Sequence, residues 1–309
     1  MKKLALILVL ALSLTFVLAS CSGNYDEGVV NPGTDVEDDG TDVNDKNNTY
    51  NLKFEGYTYN VYDGKEIEIT KYDFDYVAEG EIDTVEEEEE EVKTISLEIP
   101  AKIKDIPVTK IAKNAFEKNS VLVSVVIPEG VAEIGEGAFW YSYALESVAL
   151  PESLKVLGND AFSYCPALKS LEIPESITEI PASLCEECTS LESVTFKGSV
   201  TKIGQSAFAY CSALANLDFG AELVSIEKGA FKWCASLESV VLGEKVETVG
   251  ESAFANCAKL SAISFGQIAE IGESAFVNCA ENAVATFTGS DKTAVVVGKY
   301  NDVIAEALA

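Results

Sequence analysis

The chain has 309 residues, of which 48% are apolar, and it carries a formal net charge of −29 with no histidine. So acidic a chain repels polyanions, which excludes nucleic acid as a partner. The absence of histidine removes the commonest general base and metal ligand, and it excludes Ser-His-Asp and Cys-His nucleophile systems within this chain.

The N-terminus has the pattern of a secretory signal. Lys2 and Lys3 precede the apolar run 4–18, which is shorter than the ~20 residues that a membrane span needs. We therefore predict a signal peptide over residues 1–20. The following Leu-Ala-Ser-Cys, ending at Cys21, resembles the lipobox of bacterial lipoproteins. This resemblance implies that Cys21 is the lipid attachment site of a secreted protein, anchored to the bacterial cell envelope and facing outward. The alternative is a plain signal peptide in which Cys21 is incidental.

Two acidic stretches flank the start of the folded part. Residues 21–49 are polar and acidic with no periodic apolar face, which predicts a disordered linker. Residues 50–93 predict a small N-terminal β cap that carries a Glu-rich loop at 79–91.

An internal repeat of 23 residues dominates the rest of the chain. Its most visible sign is an Ala-Phe pair that returns with this period, in what we call the Phe column. The column reads Phe116, Phe139, Phe162, Cys185, Phe208, Phe231, Phe254 and Phe276. An Ile/Val/Leu column lies five residues earlier, and a column that is mostly Cys lies three residues later. Eight units in phase predict a repeat architecture rather than a conventional globular domain.

Each unit also contains one short strand pattern. Segments such as LESVALP (145–151) and LESVVLG (237–243) place apolar residues at positions 1, 4 and 6, and the 4/6 pair is typical of a strand with one buried face. One coil cannot bury its apolar faces alone, whereas stacked coils share one core. We therefore predict a right-handed solenoid of about eight coils with a parallel β-sheet over residues 94–288, followed by a C-terminal cap at 289–309.

The motif L-x-x-V/L-x-I/F-P, followed by IG-x-x-AF-x-x-C, resembles the BspA-like leucine-rich repeats of bacterial surface proteins. The resemblance covers about residues 94–288 and implies a leucine-rich-repeat surface protein that functions in adhesion. The chain departs from the motif at Leu184-Cys185, where Ala-Phe is expected, and at 282–285, where the strand pattern weakens and we expect the solenoid to end.

The cysteines of the repeat invite two interpretations. Equivalent positions on adjacent coils lie ~4.8 Å apart with parallel side chains, whereas a disulfide needs Cβ atoms ~3.5–4.5 Å apart that point together. We therefore predict buried, reduced thiols at Cys165, Cys188, Cys211, Cys234 and Cys257. Cys185 and Cys188 form a lone C-x-x-C that the repeat columns already explain. We predict no metal site and no cofactor.

Two exposed columns are candidate binding surfaces. The first, which we call the aromatic row, contains the aromatic residues found two positions after the Phe column, with Trp140 beside them: Trp140, Tyr141, Tyr164, Tyr210 and Trp233. Aromatic rows can bind proteins or sugars, but they can also simply cover the edge of a stack. The second, which we call the strand-face row, is the variable strand position 5, including Glu172, Thr195, Asp218 and Val241. Simple solvent exposure is its alternative explanation.

Three functions remain open from the sequence. The first is a surface module that binds a protein ligand, such as an extracellular-matrix protein or another cell-surface protein, and touches the membrane only through its lipid anchor. The second is a structural envelope spacer without a specific ligand. The third is a carboxylate-based glycosidase. Because the acids lie mostly in linkers and regular exposed columns, we predict no catalytic residues and favour the binding module over an enzyme.

Overall fold

The computed structural model describes residues 48–74, 94–266, 270–281, 283–287 and 295–296. These residues lie within one compact unit, 45–309. The predicted signal peptide, Cys21, most of the linker, the Glu-rich loop and most of the C-terminal cap lie outside them. Every regular element among the described residues is a β-strand. No helix of this part of the chain is therefore long and apolar enough to cross a membrane.

The N-terminal strands form an antiparallel meander that caps the stack. Strands β1 (Thr49–Phe54), β2 (Tyr57–Tyr62) and β3 (Glu66–Tyr72) pair in sequence order. After them come β4 (Ile95–Glu98), β5 (Lys102–Ile103) and β6 (Ile106–Ile111), and β3 pairs with β6 in parallel. Strands β5 and β6 form a hairpin whose two turn residues, Lys104 and Asp105, both have positive φ, as a type I′ turn requires.

From β6 onward, each coil contributes a short strand at its Ile column. These strands are β8 (Glu133–Ile134), β10 (Val156–Leu157), β12 (Glu179–Ile180), β14 (Lys202–Ile203), β15 (Ser225–Ile226), β17 (Thr248–Val249) and β19 (Glu270–Ile271). They form two parallel sheets, in which β6, β8 and β10 belong to the first and β12, β14, β15, β17 and β19 to the second. Ile134 pairs with Leu157, and Ile203 pairs with Ile226. The pairing offset equals the sequence period, so one repeat is one coil.

The predicted strand pattern forms the other face of each coil. Its strands are β7 (Leu122–Val126), β9 (Ser147–Ala149), β11 (Ser170–Ile173), β13 (Ser193–Phe196), β16 (Ser239–Val241), β18 (Ala262–Phe265) and β20 (Val284–Phe287), and β21 (Val295–Val296) follows. They form three sheets in the orders β4-β7-β9, β11-β13 and β16-β18-β20-β21. The prediction of a parallel β-solenoid is thus confirmed, but its strand ladder is interrupted rather than continuous.

One interruption corrects a prediction from the sequence. Asp218 is predicted to lie at position 5 of a strand, yet in this segment only an isolated bridge joins Asn216 to Ser193. The Oδ1 atom of Asp218 accepts a hydrogen bond from the Gly220 N–H at 3.0 Å, and Gly220 has φ +69°. Such a local side-chain bond offers the backbone an alternative to sheet pairing. Asp218 therefore lies in a turn and not in a strand.

The last parallel strand of the ladder lies at the weak part of the pattern. Although the strand pattern is weak at 282–285, β20 pairs in parallel with β18 over four residues. The ladder changes only afterwards, where β21 pairs with β20 in the antiparallel direction. The main-chain groups at the edge of β18 pair with those of β20, although the side chains of the β20 segment depart from the motif.

The Phe column is the centre of the core. Phe116 and Phe139 stack with ring centroids 5.0 Å apart, and Phe254 and Phe276 stack at 5.2 Å. All seven Phe residues of the column are fully buried. In coil 4, where Cys185 replaces the ring, Phe196 packs at 6.5 Å against Phe208 of the next coil. We number the coils 1 to 8 by this column. Coil 4, which has no ring in the column, thus obtains its aromatic packing from Phe196 on its own strand.

The column that follows each Phe by three residues bonds the coils together. In coils 3 to 8 its residue is Cys, and each Sγ donates to the carbonyl oxygen of the Phe-column residue one coil earlier. For Cys234 and Phe208 the distance is 3.2 Å. Ser142 does the same in coil 2 with its hydroxyl. The five predicted thiols are free and buried, so the ladder is both packed and hydrogen-bonded.

The close approach of neighbouring coils requires glycine in the IG motif, because it leaves no room for a Cβ atom. A Cβ atom on Gly158 would lie 2.4 Å from the backbone nitrogen of Glu136, and one on Gly250 would lie 2.6 Å from the carbonyl carbon of Glu227. Real Cβ atoms are not found so close to backbone atoms. Glycine at these positions therefore allows the coils to reach their hydrogen-bonding distance.

Candidate functional site

Two residues in each coil adopt the left-handed backbone conformation, and together they form two rows along the stack. The row two residues before the Phe column holds small residues: Asn114, Gly137, Asp160, Ser183, Ser206, Gly229, Ser252 and Ser274. The row two residues after it holds mostly large ones: Lys118, Tyr141, Tyr164, Glu187, Tyr210, Trp233, Asn256 and Asn278. Four of the five residues of the predicted aromatic row, all except Trp140, therefore belong to this left-handed row.

Inter-coil hydrogen bonds accompany this conformation. The N–H of Tyr164 donates to the carbonyl oxygen of Glu186 at 2.7 Å, and the N–H of Tyr210 donates to that of Lys232 at 2.7 Å. The same bond recurs from coil 1 to coil 7. Since these bonds join each coil to the next, the architecture fixes the backbone at this position, whichever side chain it carries.

The choice of side chain at this row runs against local preference. A left-handed backbone costs a residue with a Cβ atom about 1–2 kcal/mol, and asparagine tolerates it better than bulky residues do. Coils 7 and 8 use Asn256 and Asn278 at φ 64° and 56°. Coils 5 and 6 instead place Tyr210 and Trp233 there, at φ 62° and 66°. The fold itself is therefore compatible with a less costly residue.

The aromatic row is divided into two clusters. In coils 2 and 3, Tyr141 stacks on Tyr164 with ring centroids 4.5 Å apart, and Trp140 meets Tyr141 edge to face at 4.4 Å. Tyr143, which is 52% exposed, lies 5.5 Å from Tyr141. These four rings form one contiguous aromatic surface at the N-terminal half of the row.

The second cluster lies in coils 5 and 6. Tyr210 and Trp233 stack with centroids 6.3 Å apart and planes 10° apart, and Trp233 is 45% exposed. Glu187 of coil 4 separates this pair from the first cluster. All five predicted residues thus lie on one row, but the structure brings them together as two clusters rather than one continuous stripe.

Charged groups accompany the rings. The Lys118 ammonium lies 5.3 Å from the centre of the Trp140 ring, a cation–π contact that the sequence did not predict. Burial raises the pKa of the Glu187 carboxyl, and the charge of Glu186 raises it further. Burial and the charges of Glu187 and Glu186 also raise the pKa of Tyr210.

The strand-face row is less regular than predicted. Glu172 and Thr195 are paired neighbours on β11 and β13, and both are exposed. Asp218 lies in the turn described above, and Val241 on β16 is 66% exposed. Lys197 pairs with Glu172 at 3.1 Å, so part of the row's charge is already neutralised. The structure therefore separates Glu172 and Thr195 from Val241 by a break in the sheet.

The break leaves a shallow groove of about 220 Å³ between β13 and the turn. Thr195, Phe196, Asp218 and Phe219 line it. Hydrolysis of a glycosidic bond needs two carboxyl groups facing one site. Asp218 is the only carboxylate among the described residues that line this groove.

Within the described ranges, no group of three or more Cys, Asp or Glu side chains is arranged to hold a metal.

These observations define the class of protein as a parallel β-solenoid of leucine-rich repeats with a surface aromatic row, in which Trp233 is exposed and the other four rings are partly buried. The family model for the BspA type leucine rich repeat region matches residues 90–215 and 212–293. The chain belongs to this family. No curated protein matches it.

Solved structures of leucine-rich-repeat proteins are similar to the chain. A leucine rich repeat protein of T. pallidum is 24% identical with a TM-score of 0.47, over 74% of this chain and 88% of that one. A leucine-rich repeat protein of Bacteroides ovatus is 24% identical with a TM-score of 0.46, over 74% and 69%. A leucine rich cell surface protein of Faecalibacterium prausnitzii is 20% identical with a TM-score of 0.36, over 78% and 95%.

Proposed function

We propose that this chain is a protein-binding module exported to the bacterial cell surface, anchored there by lipid on Cys21, and active in adhesion. Its ligand is an extracellular-matrix protein or a protein on another cell. The binding surface is the aromatic row, and the module requires no cofactor. Nucleic acid is not a ligand, because the net charge of −29 opposes contact with a phosphate backbone.

The observation that carries this proposal is the residue choice in the left-handed row. Asn256 and Asn278 serve the fold at this position, yet Tyr and Trp occupy it in four coils. A strained conformation that local preference does not explain supports a role in function. Tyr and Trp supply large contact area at low entropic cost, and they dominate the binding energy of many protein interfaces.

An extended surface also suits a protein ligand better than a small one. The two clusters lie on coils 2–3 and 5–6, so a ligand that covers both of them spans five coils. Successive coils lie ~4.8 Å apart, so the four steps from coil 2 to coil 6 cover roughly 19 Å. A folded domain or an extended segment reaches that far, and a single small molecule does not.

The anchor is tested by Cys21→Ser. The thiol is the acyl attachment point, so we expect the variant to leave the membrane fraction or to remain unprocessed. The matched control is Cys279→Ser, which leaves the N-terminal pattern intact. Complete partition of Cys21→Ser into the detergent phase would contradict the lipid anchor.

Binding is tested with an array of extracellular-matrix proteins and mucins. We expect the Tyr210→Asn/Trp233→Asn double variant to lose at least tenfold in affinity for any protein that the parent chain binds, because each aromatic anchor contributes more than about 1 kcal/mol. The matched control, Glu172→Ala/Val241→Ala, changes the strand-face row instead and should bind normally. The reverse result would assign binding to the strand face, and an array without any specific ligand would favour the envelope spacer.

A further inference from the structure

Glu187 interrupts the aromatic row between two tyrosines. Tyr164, Glu187 and Tyr210 occupy the same left-handed position of coils 3, 4 and 5, with φ between 57° and 62°. The N–H of Tyr164 donates to the Glu186 carbonyl at 2.7 Å, and the N–H of Glu187 donates to that of Ala209 at 2.9 Å. The coils are thus in register, and one carboxylate has an aromatic residue on the next coil at either side.

The Glu187 carboxylate has no counter-charge within the part of the chain that the structure describes. It makes no ion pair or hydrogen bond there, although it is half-buried. Some other acids of the stack are paired across coils, as Glu136 is with Lys113 at 2.7 Å and Glu251 with Lys228 at 2.9 Å. A partly desolvated carboxylate without a cation is costly, and an incoming cation would relieve that cost.

One cationic side chain of the chain itself already contacts the aromatic row. The Lys118 ammonium from coil 1 lies 5.3 Å from the centre of the Trp140 ring on coil 2. Lys118 itself occupies the left-handed row, at φ 55°. The chain thus contains an internal example of a basic side chain held by an aromatic ring on this surface.

We propose that the ligand of the aromatic row is a basic segment of a partner protein, whose arginine or lysine side chain binds Glu187 between Tyr164 and Tyr210. This inference rests on the proposed function and adds the chemistry of the partner. The carboxylate supplies a charged hydrogen-bond acceptor, and the rings supply faces that attract a cation. The net charge of −29 also favours the approach of a basic partner.

The test uses the full-length chain in detergent at 150 mM salt, with an eight-residue arginine peptide as the probe. A peptide of eight citrullines is the neutral match, and a neutral glucan represents a sugar ligand. We expect the arginine peptide to bind and both others to fail. Glu187→Gln should weaken arginine-peptide binding roughly tenfold, which is the usual size of one lost charged hydrogen bond.

Glu238→Gln is the matched control, since it removes the same charge from an exposed position on another coil. It should change the affinity for the arginine peptide less than about twofold, as surface charges do individually. Equal losses for Glu187→Gln and Glu238→Gln would reduce the binding to general attraction and overturn the proposal. Equal binding of the citrulline peptide or of the glucan would also overturn it, the latter in favour of a sugar ligand.

A second comparison separates this inference from the proposed function. On any protein captured in the array, Tyr210→Asn and Glu187→Gln should both weaken binding. If Tyr210→Asn weakens it and Glu187→Gln does not, the row binds a protein without using a basic group, and only the present inference fails. If neither variant changes it, the aromatic row is not the binding surface and both proposals fail.

Discussion

Phe208 and Phe231 stack on successive coils, with ring centroids 5.5 Å apart and ring planes 12° apart. Both rings are fully buried. Phe208 also packs against Phe196 of the preceding coil, and Phe231 stacks on Phe254 of the following one, so each ring contributes to two coil–coil contacts. In a solenoid, stability is the sum of such nearest-neighbour contacts. A change in one central ring should therefore affect more than its own coil.

The first prediction is that Phe208→Ala lowers the free energy of unfolding by about 3–5 kcal/mol, because it removes a fully buried aromatic ring. Chemical denaturation followed by circular dichroism measures this change. Val241→Ala, at a side chain that is 66% exposed, serves as the control and should stay within about 0.5 kcal/mol. A loss below 1 kcal/mol for Phe208→Ala would mean that the Phe column does not carry the core.

The second prediction concerns the thiol ladder. The Sγ atom of Cys211 donates to the carbonyl oxygen of Cys185 at 3.1 Å. Cys211→Ala leaves that buried carbonyl without this donor and should cost about 1–3 kcal/mol in unfolding free energy. Cys211→Ser keeps a donor, as Ser142 does in coil 2, and should cost less than half as much. Equal losses in the two variants would show that the thiol acts only by filling space.

The third prediction is a pH dependence of stability. Burial raises the pKa of the Cys234 and Cys257 thiols, so they stay protonated in the folded chain where unfolded thiols, with a pKa of about 8.5, ionise. The folded state then binds more protons than the unfolded state, and the free energy of unfolding falls as the pH rises through about 8.5. Denaturation from pH 7 to 9.5 under reducing conditions measures this fall.

Two controls accompany the pH experiment. Cys234→Ser removes one ionising thiol, so its stability should fall less steeply over the same pH range. Iodoacetamide should label the ladder slowly in the native chain and completely in denaturant without reductant. Recovery of disulfide-linked peptides from adjacent coils, or native labelling as fast as denatured labelling, would contradict the buried reduced thiols.

The fourth prediction is that Tyr210→Asn changes the free energy of unfolding by less than about 1 kcal/mol. The stacking on Trp233, worth about 0.5–1.5 kcal/mol, is lost, but asparagine relieves the left-handed strain by a similar amount. Tyr210→Val should cost clearly more, because a β-branched residue is least compatible with φ 62°. If both variants destabilise the chain equally, the ring is structural packing, and backbone strain does not explain its position.

The sequence alone predicted the repeat, its period and its buried columns. This was possible because eight copies within one chain can be compared with each other. Phe139 and Phe208, for example, occupy equivalent positions of the repeat and have similar flanking residues, which predicts that both are buried. Both are fully buried in the structure. The stacking of coils follows from the same pattern, since one coil cannot bury its apolar faces alone. The sequence also identified the members of the aromatic row.

The sequence could not predict features that depend on backbone torsion or on contacts between coils. Tyr and Trp carry no local signal for a left-handed backbone, which here accompanies hydrogen bonds to the next coil. The contact between Lys118 and Trp140 exists only because two residues 22 positions apart meet on adjacent coils. Asp218 matches the strand pattern, but its bond to the Gly220 N–H competes with pairing, and β20 pairs despite a weak pattern. Repetition in the sequence therefore determined which residues form the core. Hydrogen-bond competition decided where the strand ladder breaks, and the stacking of coils decided which side chains meet on the surface.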